Sequence, residues 1–98
     1  MAYTIDYTAS AESDITYFRK YEQALIADTI DHQLMHTPHV ETRNRKVLEP
    51  NLLAAWELRI GHYRVFYDVD AVTSLVLVKA VGWKEHNTLY IRGKEYTL

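Results

Sequence analysis

Residues 56–70 read Trp-Glu-Leu-Arg-Ile-Gly-His-Tyr-Arg-Val-Phe-Tyr-Asp-Val-Asp. This is the pattern of two strands folded around a two-residue turn. With Ile60 and Gly61 as that turn, Gly61 supplies the positive φ that so tight a connection needs. Arg59 then lies opposite His62, Leu58 opposite Tyr63, and Glu57 opposite Arg64. Side chains alternate across a strand, so Trp56, Leu58, Tyr63, Val65 and Tyr67 share one face. Glu57, Arg59, His62 and Arg64 share the other. Moving the turn to Gly61-His62 would set Arg59 against Arg64, and directly opposed like charges are unfavourable. Charge pairing therefore favours the Ile60-Gly61 register. The expected unit is a small sheet with an apolar back and a cationic front.

The rest of the chain supplies the layer that covers the apolar back. Alternation in Tyr3-Thr4-Ile5-Asp6-Tyr7 predicts an opening strand. Ser10 or Ser13 can cap a helix, with Glu12 and Asp14 near its positive end. From there to His36 there is neither Gly nor Pro, and Ile15, Phe18, Tyr21, Leu25, Ile26, Ile30 and Leu34 recur at helical spacing. One unbroken helix of ~26 residues would be ~39 Å long, which overhangs so small a domain. A break near Arg19-Lys20, giving two helices that fold back on the sheet, fits better.

His36-Thr37-Pro38-His39 closes the helical region, and Glu41 to Asn51 reads as a polar, basic connection. Strands follow at about 53–60, 62–69 and 74–81. The last carries Leu75-Val76-Leu77-Val78, apolar on both sides as a covered central strand would be. Gly82 reads as an interruption, with short strands at about 87–91 and 94–98 beyond it. The expected class is α+β, an antiparallel sheet with two N-terminal helices packed on one face, in a single domain over 1–98.

Composition narrows the chemistry. The 98 residues are 48% hydrophobic and 24% charged, the proportions of an ordinary globular protein. No apolar run approaches the about 20 residues of a membrane span, and no signal segment opens the chain. With no cysteine, thiolate chemistry is excluded, and a cytoplasmic, cofactor-free protein is the expectation. The net charge of −2 is unevenly spread. Residues 1–36 hold six acids and two bases, while residues 43–98 hold nine bases and six acids. A basic half favours an anionic partner.

The order of helices, then Leu-Arg-x-Gly-x-Tyr-Arg-Val-x-Tyr-Asp-Val at 58–69, then an apolar strand into Val81-Gly82 and a segment ending in Tyr90, resembles the RelE/ParE toxin superfamily of bacterial toxin–antitoxin modules. The likeness spans roughly residues 3–91 and is most specific around Tyr63-Arg64-Val65-x-Tyr67. It implies a microbial-ribonuclease-like fold. For RelE-type members it implies a ribosome-dependent mRNA endoribonuclease, in which a 2′-hydroxyl attacks the adjacent phosphate to leave a 2′,3′-cyclic phosphate. ParE-type members poison DNA gyrase instead, and a non-toxic antitoxin-binding module of the same fold is a further alternative. The resemblance also implies a cognate antitoxin, whose extended or helical segment would cross the sheet and its helices.

Cleavage by a neighbouring 2′-hydroxyl needs a base, cations for the phosphorane oxygens, and an acid for the leaving oxygen. The resemblance places the family's sheet arginine on Arg64, where a guanidinium can grip two phosphate oxygens. It puts Lys84 where RelE-type members carry a second arginine, and Tyr90 at their terminal tyrosine. His86 is the best proton-transfer candidate by intrinsic pKa, with His62 a further option. Ala55 and Glu57 stand where RelE-type members carry lysines, and Glu57 can serve as a base. Arg59 is a second phosphate clamp or a solvated strand residue. Arg43, Arg45 and Lys46 form a basic cluster suited to RNA phosphates, or a loop over the sheet edge with its stems packed on apolar surface. His32, His36 and His39 lack the companions of a metal site, and Trp56 and Trp83 read as core.

Overall fold

The computed structural model describes residues 2–98. The chain runs β1 (Thr4–Tyr7), α1 (Ala9–Thr16), α2 (Lys20–Leu34), β2 (Arg45–Val47), β3 (Trp56–Ile60), β4 (Tyr63–Asp70), β5 (Leu75–Glu85), β6 (Thr88–Ile91) and β7 (Lys94–Tyr96). The helical stretch breaks just before Lys20, as helix length requires. Thr8, not Ser10 or Ser13, caps α1, its hydroxyl accepting the Ala11 N–H. At α2 the Glu22 carboxylate reaches back to the Arg19 N–H at 3.1 Å, one half of a capping box.

All seven strands form one sheet, in the order β2-β3-β4-β5-β6-β7 with β1 beside β5. Every pair is antiparallel except β1, which runs parallel to the first half of β5, Thr4 against Leu75 and Tyr7 against Val78. β5 is long enough to take β1 along its first half and β6 along its second, which makes it the central strand that its apolar run predicted. Two local readings are corrected. Residues 45–47 form an edge strand paired with β3, where the polar sequence suggested only a connection. Gly82 does not interrupt β5. A side chain there would run into the backbone carbonyl of Tyr90, so the glycine lets β6 close against β5.

The hairpin register is corrected as well. Ile60 pairs with Tyr63, Arg59 with Arg64, and Glu57 with Phe66, so the turn is Gly61-His62. Gly61 has φ +59° while His62 is not left-handed, as in a type II′ turn with glycine at its first central position. Turn geometry outweighs the charge clash, because both arginines turn aside. Arg59 points its Nε at Glu57 and Arg64 folds back onto the carbonyls of Gly61 and Tyr63.

The helices cover one face. Ile26, Ile30 and Leu34 of α2 are buried with Leu58, Val65, Tyr67, Val76, Val78 and Val81, each large side chain contributing about 1.5–3 kcal/mol relative to exposure. Tyr21 and Leu25, in the same periodic set, stay on the outer side of α2. A second, smaller cluster of Ala54, Phe66, Ala80 and Leu89 lies on the opposite face under the 48–54 segment.

Candidate nucleic-acid interface

Strand alternation fixes what stands on the helix-free face. Leu58, Val65, Val81 and Trp83 belong to the helix-side core, so their strand neighbours Glu57, Arg59, Arg64, Gly82 and Lys84 face the other way. Lys46 is registered against Glu57 and Arg59 against Arg64, with Arg64 facing Gly82 across β4–β5. Lys84 follows two residues after Gly82, its N–H bonded to the His62 carbonyl at 2.8 Å. Four cations, Lys46, Arg59, Arg64 and Lys84, thus share this face with Glu57, and of these Arg59 and Arg64 act on the carboxylate directly. Gly82, opposite Arg64, is covered by the Tyr90 carbonyl and the Ile91 side chain. Its role was missed as a break, although an isolated glycine in a strand pattern signals close backbone approach.

Glu57 is 2% exposed and accepts from Arg59 Nε at 3.2 Å. Arg64 Nη1 donates to the carbonyls of Gly61 at 2.7 Å and Tyr63 at 2.9 Å, while its Nε is buried without a partner. Burial holds the Arg64 guanidinium below its ordinary pKa and the Glu57 charge opposes that shift. A partly desolvated guanidinium with an unused donor gains most from an incoming anion.

Four candidates stand elsewhere. Arg45 is 8% exposed, its Nη1 donating to the carbonyls of Gln33 at 2.6 Å and His36 at 3.4 Å. It caps the end of α2 from the helix side, where bare carbonyls attract a cation, and does not reach the cationic face. Tyr90 pairs with Trp83 and stacks on its ring at 5.5 Å, so it too lies on the helix side, away from Arg64 and Lys84. His86 sits with Asn87 in the left-handed turn joining β5 to β6, exposed, beyond the Lys84 end of the face. Arg43 is exposed in the segment before β2. Trp56 and Trp83 are half-buried against the helix-side core. Among the described residues no group of three His, Asp or Glu side chains is placed to hold a metal, and no helix is long and apolar enough to cross a membrane.

No family model matches the sequence, and no curated protein matches it. The fold has clear relatives among solved structures. A chain of the RelBE2 toxin–antitoxin complex from Mycobacterium tuberculosis superposes with TM-score 0.75 at 24% identity, covering 86% of this chain and 93% of that one. A chain of the archaeal RelE–RelB complex from Pyrococcus horikoshii OT3 superposes with TM-score 0.69 at 17% identity, covering 88% and 99%. The chain has the RelE fold. Within this RelE fold the cationic cluster lies on the sheet face opposite the helices, beside the smaller hydrophobic cluster under the 48–54 segment. A separate cleft of about 540 Å³ lies between the 52–53 segment, the start of α1 and the β6–β7 turn, with Asp14, Arg92 and Tyr96 in its wall.

Proposed function

We propose that this protein is the toxin of a toxin–antitoxin pair and cleaves mRNA on the translating ribosome, with a cognate antitoxin as its protein partner. One observation carries the nuclease reading: Lys46, Arg59, Arg64 and Lys84 share a face with Glu57, a buried carboxylate next to the arginines. The antitoxin partner is supported by the two similar structures, each a toxin–antitoxin complex.

In this reading Arg64 and Lys84 take the non-bridging oxygens of the scissile phosphate, and Arg59 assists. Binding draws Arg59 off Glu57, whose freed carboxylate accepts the proton of the attacking 2′-hydroxyl as the bond to phosphorus forms. The 5′-oxygen leaves with a proton from His86 or water, giving the 2′,3′-cyclic phosphate. Lys46 and Arg43 hold flanking phosphates, and Tyr90 and Arg45 have no direct part. Induced expression without the antitoxin is expected to stop growth and truncate translated mRNA, as read by primer extension, while Arg64→Ala restores growth. Growth arrest with intact mRNA and accumulated cleaved DNA overturns this reading in favour of a gyrase poison.

A further inference from the structure

A second site lies on the helix side of the sheet, at the junction of α1, α2 and the β3–β4 turn. Tyr17, Phe18, Glu22, His62, Tyr63 and Trp83 line a depression of about 210 Å³. Small-molecule sites run roughly 300–1,000 Å³, so this one is sized for a single side chain. Its walls are aromatic and locked by their own packing. Phe18 meets Tyr63 and Trp83 edge to face at 5.4 and 5.7 Å, and Tyr17 stacks on Trp83 at 5.6 Å. Tyr17 remains 54% exposed despite these contacts.

The one carboxylate of this wall is fixed in place. Glu22 accepts the Arg19 N–H with one oxygen and the Tyr63 hydroxyl with the other. Both of its hydrogen-bond donors are neutral, the Arg19 and His62 charges act on it only from beyond ion-pair distance, and no lysine or arginine pairs with it directly among the described residues. The Tyr63 hydrogen bond, followed by the Arg19 N–H, holds its pKa below the usual carboxylate range. Aromatic ring faces and a carboxylate all present negative potential. Apolar surface continues alongside, since Tyr21, next to Glu22 in α2, and Leu25, one turn beyond Tyr21, are 68% and 48% exposed.

From this geometry we infer that the Tyr17–Trp83–Glu22 depression receives an arginine or lysine side chain of a protein partner, whose flanking apolar residues lie on Tyr21 and Leu25. The site is independent of the cationic face and of the nuclease reading. Charge complementarity selects the occupant: a guanidinium gains from rings and carboxylate together, whereas a nucleotide would bring its phosphate toward Glu22.

The test uses the full chain labelled at its indole nitrogens, titrated with the peptide amide acetyl-Leu-Arg-Ala-Leu and, separately, with its citrulline counterpart. The arginine peptide is expected to shift the Trp83 indole resonance and saturate, and the citrulline peptide to bind roughly five- to tenfold more weakly. Glu22→Gln keeps the cap and the tyrosine bond available and is expected to weaken the arginine peptide by a similar factor. Tyr17→Leu, which keeps apolar area but removes a ring, is expected to weaken it too. An unmoved Trp83 resonance, equal binding of the citrulline peptide, or indifference to both variants overturns the inference. So does tighter binding of uridine monophosphate than of the arginine peptide, which would assign the pocket to nucleic acid.

Discussion

Arg64 spends two hydrogen bonds on its own turn, at Gly61 and Tyr63, and leaves Nε buried without a partner. In the proposed nuclease reading its guanidinium grips two phosphate oxygens in a fork, a geometry lysine cannot match. Arg64→Ala is therefore expected to slow RNA cleavage by roughly 10²–10³-fold. Arg64→Lys should recover only part of that loss, with the thermal midpoint unchanged in both, measured by single-turnover cleavage and calorimetry. Loss of folding in Arg64→Lys would instead assign the residue to turn stability. The placement of Arg64 on the cationic side was legible because alternation within β4 needs no register. That of Tyr90 was not. Lys84 and Tyr90 are six apart, which on one straight strand would put them on the same face. The two-residue turn at His86-Asn87 pairs Lys84 with Leu89 and Trp83 with Tyr90, and that inversion sends Tyr90 to the helix side. Arg45 escaped for a related reason, since nothing in Arg43-Asn44-Arg45-Lys46 announces that the middle of the cluster is a strand with a buried side.

Between elements, two tight fits hold the layers in register. At Gly82 the β6 backbone passes so close to β5 that any Cβ meets the Tyr90 carbonyl. Backbone cannot yield as a flexible side chain would, so Gly82→Ala is expected to cost roughly 1–3 kcal/mol. At about 4–8 °C per kcal/mol for a domain this size, the loss is readable as a lowered thermal midpoint; an unchanged midpoint would mean that β6 is not pressed against β5. The second tie is Asp14 of α1, 1% exposed, which accepts the Val81 N–H at 3.0 Å and pairs with Arg92 Nε at 2.9 Å. Burial raises its pKa above 3.8, against the lowering effect of both partners. The native state therefore keeps this proton at pH values where the unfolded chain has released it. Asp14 thus subtracts stability progressively as pH climbs from about 3.8 through the raised folded value. In Asp14→Asn that loss is absent, so the stability of the variant minus that of the native chain should rise with pH across this window. Glu22 and Asp70, shifted the opposite way, are common to both proteins and cancel. A difference that falls with pH, measured by denaturant unfolding, would mean that the Arg92 pair outweighs burial. That a hairpin turns near Gly61 and that β5 is central were readable from the glycine and the apolar run, but the turn's register was not, and the Asp14 tie joins residues 67 apart and has no local signature.

Across the whole molecule, the charge imbalance along the chain becomes an imbalance between faces. Acid-rich residues 1–36 supply the two helices, while Lys46, Arg59, Arg64 and Lys84 stand on the bare side of the sheet. A net charge of −2 therefore understates the attraction this one side offers a polyanion, because the field near a surface is set by local charges within about 10 Å at 0.1 M salt. If all four cations meet phosphates of single-stranded RNA, the logarithm of the binding constant should fall against the logarithm of salt concentration with a slope of about −3, from about −0.7 per phosphate neutralised. Lys84→Gln should then make the slope shallower by about 0.7 and weaken binding across sequences alike, whereas Lys20→Gln at the start of α2 should leave it unchanged. Equal effects of the two substitutions would mean that RNA is drawn by diffuse charge and not by the sheet face. A slope near zero would remove the phosphate-binding role altogether, since no arrangement of four neutralised phosphates can bind without releasing counterions.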